Sequence, residues 1–122
     1  MNVNEVLTDD LPKDVLYEMS NYQSKVTGLP NNIVLWVRTD LSDYGHSRYR
    51  VKIKKDKVWA GIYTVGNEPE VIKDMRNNKL SNYEDKEIKN FIKQFSSLII
   101  SLIDEKIDSA DFADEVRKIR GT

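Results

Sequence analysis

Residues 47–54 read Ser-Arg-Tyr-Arg-Val-Lys-Ile-Lys and alternate polar, mostly cationic side chains with apolar ones. Successive side chains of a β-strand point to opposite faces, so this stretch predicts a strand with one apolar and one basic face. The apolar face holds Tyr49, Val51 and Ile53, and the basic face holds Arg48, Arg50, Lys52 and Lys54. Like charges in one row repel each other. The basic face therefore predicts either an anionic partner or full hydration.

The residues after this strand predict a β-hairpin. Lys55 and Asp56 fit a two-residue turn, and residues 57–65 are rich in Val, Trp, Ile, Tyr and Thr, as a returning strand requires. This register pairs Lys52 with Trp59, and opposed residues share a face. The core face is then apolar throughout: Tyr49, Val51, Ile53, Val58, Ala60 and Ile62. The opposite face joins cations to aromatic residues: Arg48, Arg50, Lys52, Lys54, Lys57, Trp59, Gly61 and Tyr63.

Elements on both sides of the hairpin complete an α+β fold. Asp10 and Pro12 predict a helix start, and an apolar stripe through Met19 and Tyr22 continues it until Gly28 and Pro30. Strands are predicted at residues 33–38 and 70–74. Two helices follow, a long amphipathic one and a short C-terminal one that ends at Gly121.

The long helix has the clearest signals of all. Ser81 and Glu84 have the spacing of a capping box, in which each side chain satisfies a free backbone N–H of the first turn. We predict an N-terminal helix, a three- or four-stranded antiparallel sheet, this long helix and a short C-terminal helix, all in one domain spanning residues 1–122.

Composition excludes several classes of protein. The 122 residues carry a net charge of −1 and no cysteine, so there are no disulfides or thiolate zinc sites, which favours a cytoplasmic location. No apolar run reaches the roughly 18–20 residues that span a membrane. Motifs for catalysis, metal binding and cofactors are absent, so we predict a non-enzyme with no catalytic residues, no metal and no cofactor.

Charge is distributed unevenly along the chain. Residues 48–57 hold six cations and one acid, whereas residues 104–115 hold six acids and one cation. A basic middle predicts an anionic small molecule or a nucleic acid as partner. The acidic end is compatible with homo-oligomerisation, in which the middle of one copy contacts the end of another.

The basic hairpin face is the predicted binding site. Arg48, Arg50 and Lys52 would neutralise phosphate, while Trp59 and Tyr63 would offer flat surfaces to a base.

Three further candidates adjoin this face, namely Trp36 and Arg38 on the preceding strand and His46, the only histidine, in the loop between the strands. Two alternatives stay open for the same residues. The cations are also compatible with a solvated face whose Lys and Arg side chains cover the aromatic rings, and with a surface that binds an acidic host protein.

Two segments carry a resemblance to a known family. Residues 28–37 read Gly-Leu-Pro-Asn-Asn-Ile-Val-Leu-Trp-Val, and residues 46–53 read His-Ser-Arg-Tyr-Arg-Val-Lys-Ile. The chain resembles small bacterial and prophage proteins that share a G-L-P-x-N-I-W-V element, an H-x-x-R-I-K element and a long C-terminal helix. It departs from them by inserted residues before Trp36, and by Arg50 where Ile or Val is usual.

The resemblance implies a phage or mobile-element setting and evasion of host defence, with no established activity. We therefore predict a non-catalytic protein that captures a signalling nucleotide or nucleic acid on the basic aromatic face. The alternative is a protein-binding inhibitor or adaptor, anti-defence or antitoxin-like, that uses the same face.

Overall fold

The computed structural model describes residues 19–38, 49–74 and 79–121. Within these ranges five strands and three helices follow one another: β1 (Met19–Tyr22), α1 (Ser24–Thr27), β2 (Ile33–Arg38), β3 (Arg50–Lys55), β4 (Val58–Thr64), β5 (Val71–Asp74), α2 (Asn82–Ile103) and α3 (Ser109–Arg120). The α+β class is confirmed, as are the long helix and the C-terminal helix. The sheet has five strands, where three or four were predicted.

The sheet is an antiparallel meander. Its strands lie in the order β1-β2-β3-β4-β5, so each strand pairs with its neighbour along the chain. β3 occupies the centre, with its basic side chains in the middle of one sheet face. The sequence feature from which the fold was predicted therefore lies at the centre of the sheet.

The additional strand, β1, replaces part of the predicted N-terminal helix. Met19 pairs with Arg38 and Tyr22 with Leu35, so the helix prediction was wrong for these residues, while residues 11–18 lie outside the described part. Strand geometry buries Tyr22 as effectively as a helix would, and it gives β2 a hydrogen-bonded neighbour. Tertiary pairing overrides the local helical pattern here. Helix α1 follows and ends at Gly28, whose φ of 76° suits glycine.

The hydrophobic core lies between one sheet face and helices α2 and α3. The inward residues of β2, namely Ile33, Leu35 and Val37, are fully buried, while the intervening residues are half-buried. The helices contribute the predicted apolar stripes: Ile88, Phe91, Ile92, Phe95, Ile99, Leu102, Ile103, Phe112 and Val116. Ile119 of α3 is 54% exposed and lies outside this core.

The hairpin turn lies one residue later than predicted. Asp56 and Lys57 form it, with φ values of 53° and 68°, and Lys55 pairs with Val58. This moves the pairing by two residues and keeps Lys54, Val58 and Trp59 on their predicted faces, but it places Lys57 in the turn rather than on the basic face. A β-bulge then inserts one extra residue into β4, because Lys54 pairs with Trp59 but Ile53 pairs with Gly61. Beyond the bulge the pairing differs from the predicted register by three residues.

After the bulge, each side chain of β4 lies on the sheet face opposite to the predicted one. Ile62 lies opposite Lys52 on the basic face, and Tyr63 lies opposite Val51 on the core face. Gly61 lies opposite Ile53 on the core face as well, so the predicted assignment of Gly61, Ile62 and Tyr63 was wrong. An extra residue in one strand reverses every later side chain, since the side-chain period of a strand is two.

Replacing Lys57 by glycine is expected to stabilise the fold by up to about 1 kcal/mol. Both central residues of the turn have positive φ, as in the type I′ turns for which Asp-Gly is strongly preferred. Thermal or urea unfolding measures the change. Lys57→Ala is the matched control, since it removes the charge but not the backbone strain. Equal stability of the two variants would contradict the argument.

Candidate ligand-binding face

The outer face of the sheet, on the side away from α2 and α3, carries the candidate site. Its outward positions on β2, β3 and β4 are Val34, Trp36, Arg38, Arg50, Lys52, Lys54, Trp59, Ile62 and Thr64. None of these nine positions is acidic. The apolar ones lie outside the core cluster that the described residues form. We refer to these nine residues as the outer face.

Strand register sets basic and aromatic side chains beside one another. Trp36 lies opposite Lys52, and Lys54 lies opposite Val34 on one side and Trp59 on the other. Extending the β2–β3 register by two residues places Arg38 opposite Arg50. Each tryptophan therefore has a lysine directly beside it and a second lysine on the diagonal.

The two tryptophans form one aromatic unit. Their ring centroids are 5.6 Å apart, and the ring planes meet at 67°, edge to face. The ammonium of Lys54 lies 5.0 Å from the Trp36 centroid and 4.6 Å from the Trp59 centroid. The ammonium of Lys52 lies 5.5 Å from Trp59. These distances are those of cation–π contacts, so the lysines partly cover the rings.

One polar atom of this unit has no hydrogen-bond partner within the described part of the chain. The indole Nε1 of Trp36 is buried and has no hydrogen-bond acceptor among the residues that the structure describes. A buried Trp N–H normally finds an acceptor, because losing its bond to water costs about 1–3 kcal/mol. The neighbouring lysines cannot serve, since an ammonium group only donates.

The structure brings together five of the eight predicted site residues: Trp36, Arg38, Arg50, Lys52 and Trp59. It removes Tyr63, which is 1% exposed and donates a hydrogen bond from its hydroxyl to Asp85 Oδ1 at 2.6 Å. The buried Tyr63 ring therefore offers a base no surface for stacking. His46 and Arg48 lie outside the described residues. Lys54 was assigned to the basic face but not to the site, although it lies closest to both rings.

A second polar cluster surrounds Glu84, which is 2% exposed. Its carboxylate accepts hydrogen bonds from Lys55 Nζ at 2.9 Å, from Asn31 Nδ2 at 2.9 Å and from the Ser81 backbone N–H at 2.8 Å. Burial alone would raise the pKa of Glu84, but these three donors and the charge of Lys55 lower it to about 2.

Glu84 therefore joins the start of α2 to the end of the hairpin and to the loop before β2. From sequence, only the capping role of Glu84 is predicted. With three donors in place the carboxylate is fully engaged, which makes it a structural element rather than an acid or base.

Most of the acids in the C-terminal region have hydrogen-bond or ion-pair partners, one of them from outside the region. Asp104 accepts a hydrogen bond from the Tyr49 hydroxyl, and Asp108 forms a capping box with Asp111. Helix α3 contains three acidic and three basic residues, and two ion pairs join them, Asp114–Arg117 and Glu115–Lys118. This region offers a basic partner less charge than its sequence had indicated.

Other classes of site receive no support in the described ranges. They contain no group of three or more side chains suited to hold a metal ion. Their helices are all too short or too polar to cross a membrane. Comparison with protein-family models, with curated proteins and with solved structures found no match to this chain.

Proposed function

We propose that this chain is a non-catalytic binding protein that captures a phosphate-bearing ligand, a nucleotide or a nucleic acid, on the outer face. The observation that carries the proposal is the tryptophan pair, flanked by Lys52 and Lys54 on a face without an acidic position on β2, β3 and β4. The resemblance of residues 28–53 to bacterial and prophage proteins adds a phage or mobile-element setting.

The cations supply the phosphate contacts. Arg38 and Arg50 lie opposite each other on β2 and β3. Lys52 and Lys54 follow along β3 on the same face. Guanidinium groups hold phosphate oxygens in pairs, and ammonium groups act as point charges. An anion bound between these side chains is attracted by several cations at once. Binding is then favoured even before any base is recognised.

The aromatic rings supply the base contact. Stacking on a protein ring contributes about 1–3 kcal/mol per base. The cation–π contacts that occupy Trp36 and Trp59 are worth about 0.5–2 kcal/mol. The two energy ranges overlap, so replacing the ammonium on a ring by a base changes the binding free energy little by itself. It becomes favourable because the released ammonium binds the phosphate of the same ligand.

Charge reversal tests the proposal. Nucleotides and short oligonucleotides are screened by thermal shift, where a ligand at 100 times its Kd adds about 2.7 kcal/mol of stability. In the double variant Arg50→Glu, Lys52→Glu we expect the affinity for any such ligand to fall at least about 10-fold, because two phosphate contacts become repulsive. Circular dichroism establishes that the variant is folded.

The matched control is Lys86→Glu with Lys93→Glu, which makes the same charge change at two exposed positions of α2. The control should bind as the unmodified protein does. Full affinity in the folded outer-face variant would overturn the proposal. If no nucleotide or oligonucleotide stabilises the unmodified protein, the function shifts to the alternative, an inhibitor or adaptor that binds an acidic protein surface.

A further inference from the structure

We infer that the ligand of the outer face is a single-stranded nucleic acid, and that Lys54 holds the position of a base until that ligand binds. This inference rests on the proposed function and specifies its ligand. Three observations carry it: the position of the Lys54 ammonium between the rings, the Trp36 N–H that has no acceptor among the described residues, and the spread of the cations across the sheet.

The Lys54 ammonium occupies the angle between the two indole rings. The three separations are nearly equal, 5.6 Å between the centroids and 5.0 and 4.6 Å from Nζ to each of them. A flat base fits the same angle, with its face on one ring and its edge against the other. Ammonium and base need the same ring surfaces, so one must leave before the other can enter.

The hydrogen-bonding need of the Trp36 N–H favours a nucleotide over the Lys54 ammonium beside the rings. Its Nε1 is buried without an acceptor among the described residues, and the Lys54 ammonium can only donate. A nucleotide carries acceptors on its base and on its phosphate. A nucleotide in place of the Lys54 ammonium therefore brings hydrogen-bond acceptors to this aromatic unit, which the ammonium cannot do.

The ring surfaces favour a single strand over a duplex. Bases in a duplex are stacked on one another and expose only their edges, whereas unpaired bases can leave the stack and lie on aromatic side chains. The cations favour a polymer over a mononucleotide. Arg50 and Lys54 are four residues apart on one strand, about 13 Å. A single phosphate could contact both only if the two side chains leaned toward each other, whereas successive phosphates of one chain match this span.

Intrinsic fluorescence reports on this site directly, because Trp36 and Trp59 are the only tryptophans in the chain. A ten-nucleotide oligothymidylate is titrated against an abasic phosphodiester of the same length, with the duplex form and inorganic polyphosphate alongside. We expect the oligothymidylate to quench the fluorescence and to bind at least about 10-fold more tightly than the abasic chain. Duplex and polyphosphate should bind without quenching.

Two outcomes separate this inference from the proposed function. Equal affinity for the oligothymidylate and the abasic chain, without quenching, would overturn the inference and leave phosphate binding intact. Failure of every phosphate-bearing probe to bind would overturn both. Trp59→Leu should lower the affinity for oligothymidylate about 10-fold and leave the affinity for polyphosphate unchanged. An unchanged affinity for oligothymidylate in this folded variant would also overturn the inference.

The role of Lys54 has its own readout, the salt dependence of oligothymidylate binding. Lys54→Met keeps the length and apolar body of the side chain but removes the ammonium. If the ammonium moves to a phosphate on binding, the slope of log affinity against log salt should become shallower by about 0.7. An ammonium that stays on the rings contacts no phosphate, so an unchanged slope would overturn its role as placeholder.

Discussion

Replacing Glu84 by alanine is expected to lower the free energy of unfolding by about 3 kcal/mol or more. Removing one partner of a buried ion pair typically costs 3–5 kcal/mol, because the other charge is left uncompensated. Lys55 is 21% exposed and can recover some hydration, which favours the lower end of that range. The Asn31 amide and the Ser81 N–H lose their acceptor as well. Typical domains have only 5–15 kcal/mol of stability, so this change is severe.

Urea unfolding monitored by circular dichroism measures the loss. Glu87→Ala is the matched control, since it removes the same charge less than one turn further along α2 and should change stability by no more than about 0.5 kcal/mol. Similar values for the two variants would show that Glu84 is only a surface cap. Glu84→Gln should fall between them, because glutamine preserves the capping box but presents an N–H donor to the donors around it.

The pH dependence has a definite sign. The pKa of Glu84 is lowered from 4.5 to about 2 in the folded chain. A lowered pKa means that the stabilisation is complete above pH 4.5 and is lost as the pH falls toward 2. The shift corresponds to about 3 kcal/mol at 1.36 kcal/mol per pH unit. The difference in stability between unmodified protein and Glu84→Gln should therefore shrink across this window, and a constant difference would contradict the assigned cause.

The parts of the fold that sequence predicted are those set by local patterns. Helix α2 follows from the Ser81–Glu84 capping box and its apolar stripe, and the basic face of β3 follows from strict alternation. Both signals lie within a few residues of the structure they specify. The same holds for the ends of α1 and α3, where Gly28 and Gly121 adopt positive φ.

The parts that sequence missed depend on distant partners. Whether residues 19–22 form a helix or a strand is decided by β2, which lies about fifteen residues away and hydrogen-bonds to them. The bulge at Ala60 and Gly61 reverses Tyr63, and it has no local marker beyond two small residues that fit a buried site. The partners of Glu84 at Lys55 and Asn31 lie 29 and 53 positions away. Only the folded chain brings such pairs together.

Salt should weaken oligothymidylate binding about 50-fold between 50 and 200 mM. Four cations of the outer face, Arg38, Arg50, Lys52 and Lys54, are the proposed phosphate contacts. Each phosphate neutralised on a single strand contributes about −0.7 to the slope of log affinity against log salt, which gives about −2.8 for four. A fourfold change in salt then corresponds to the predicted loss. Fluorescence titration at several salt concentrations measures the slope.

The salt slope reflects the number of neutralised phosphates, whereas the stacking contribution to affinity does not depend on salt. Variants therefore distinguish the phosphate contribution from the stacking contribution. Trp59→Leu should lower the affinity at every salt concentration and leave the slope near −2.8, while Arg50→Glu with Lys52→Glu should make the slope shallower by at least about 1.4. A slope close to zero in the unmodified protein would contradict phosphate binding by the outer face. A slope much steeper than −2.8 would assign further phosphates to cations beyond these four.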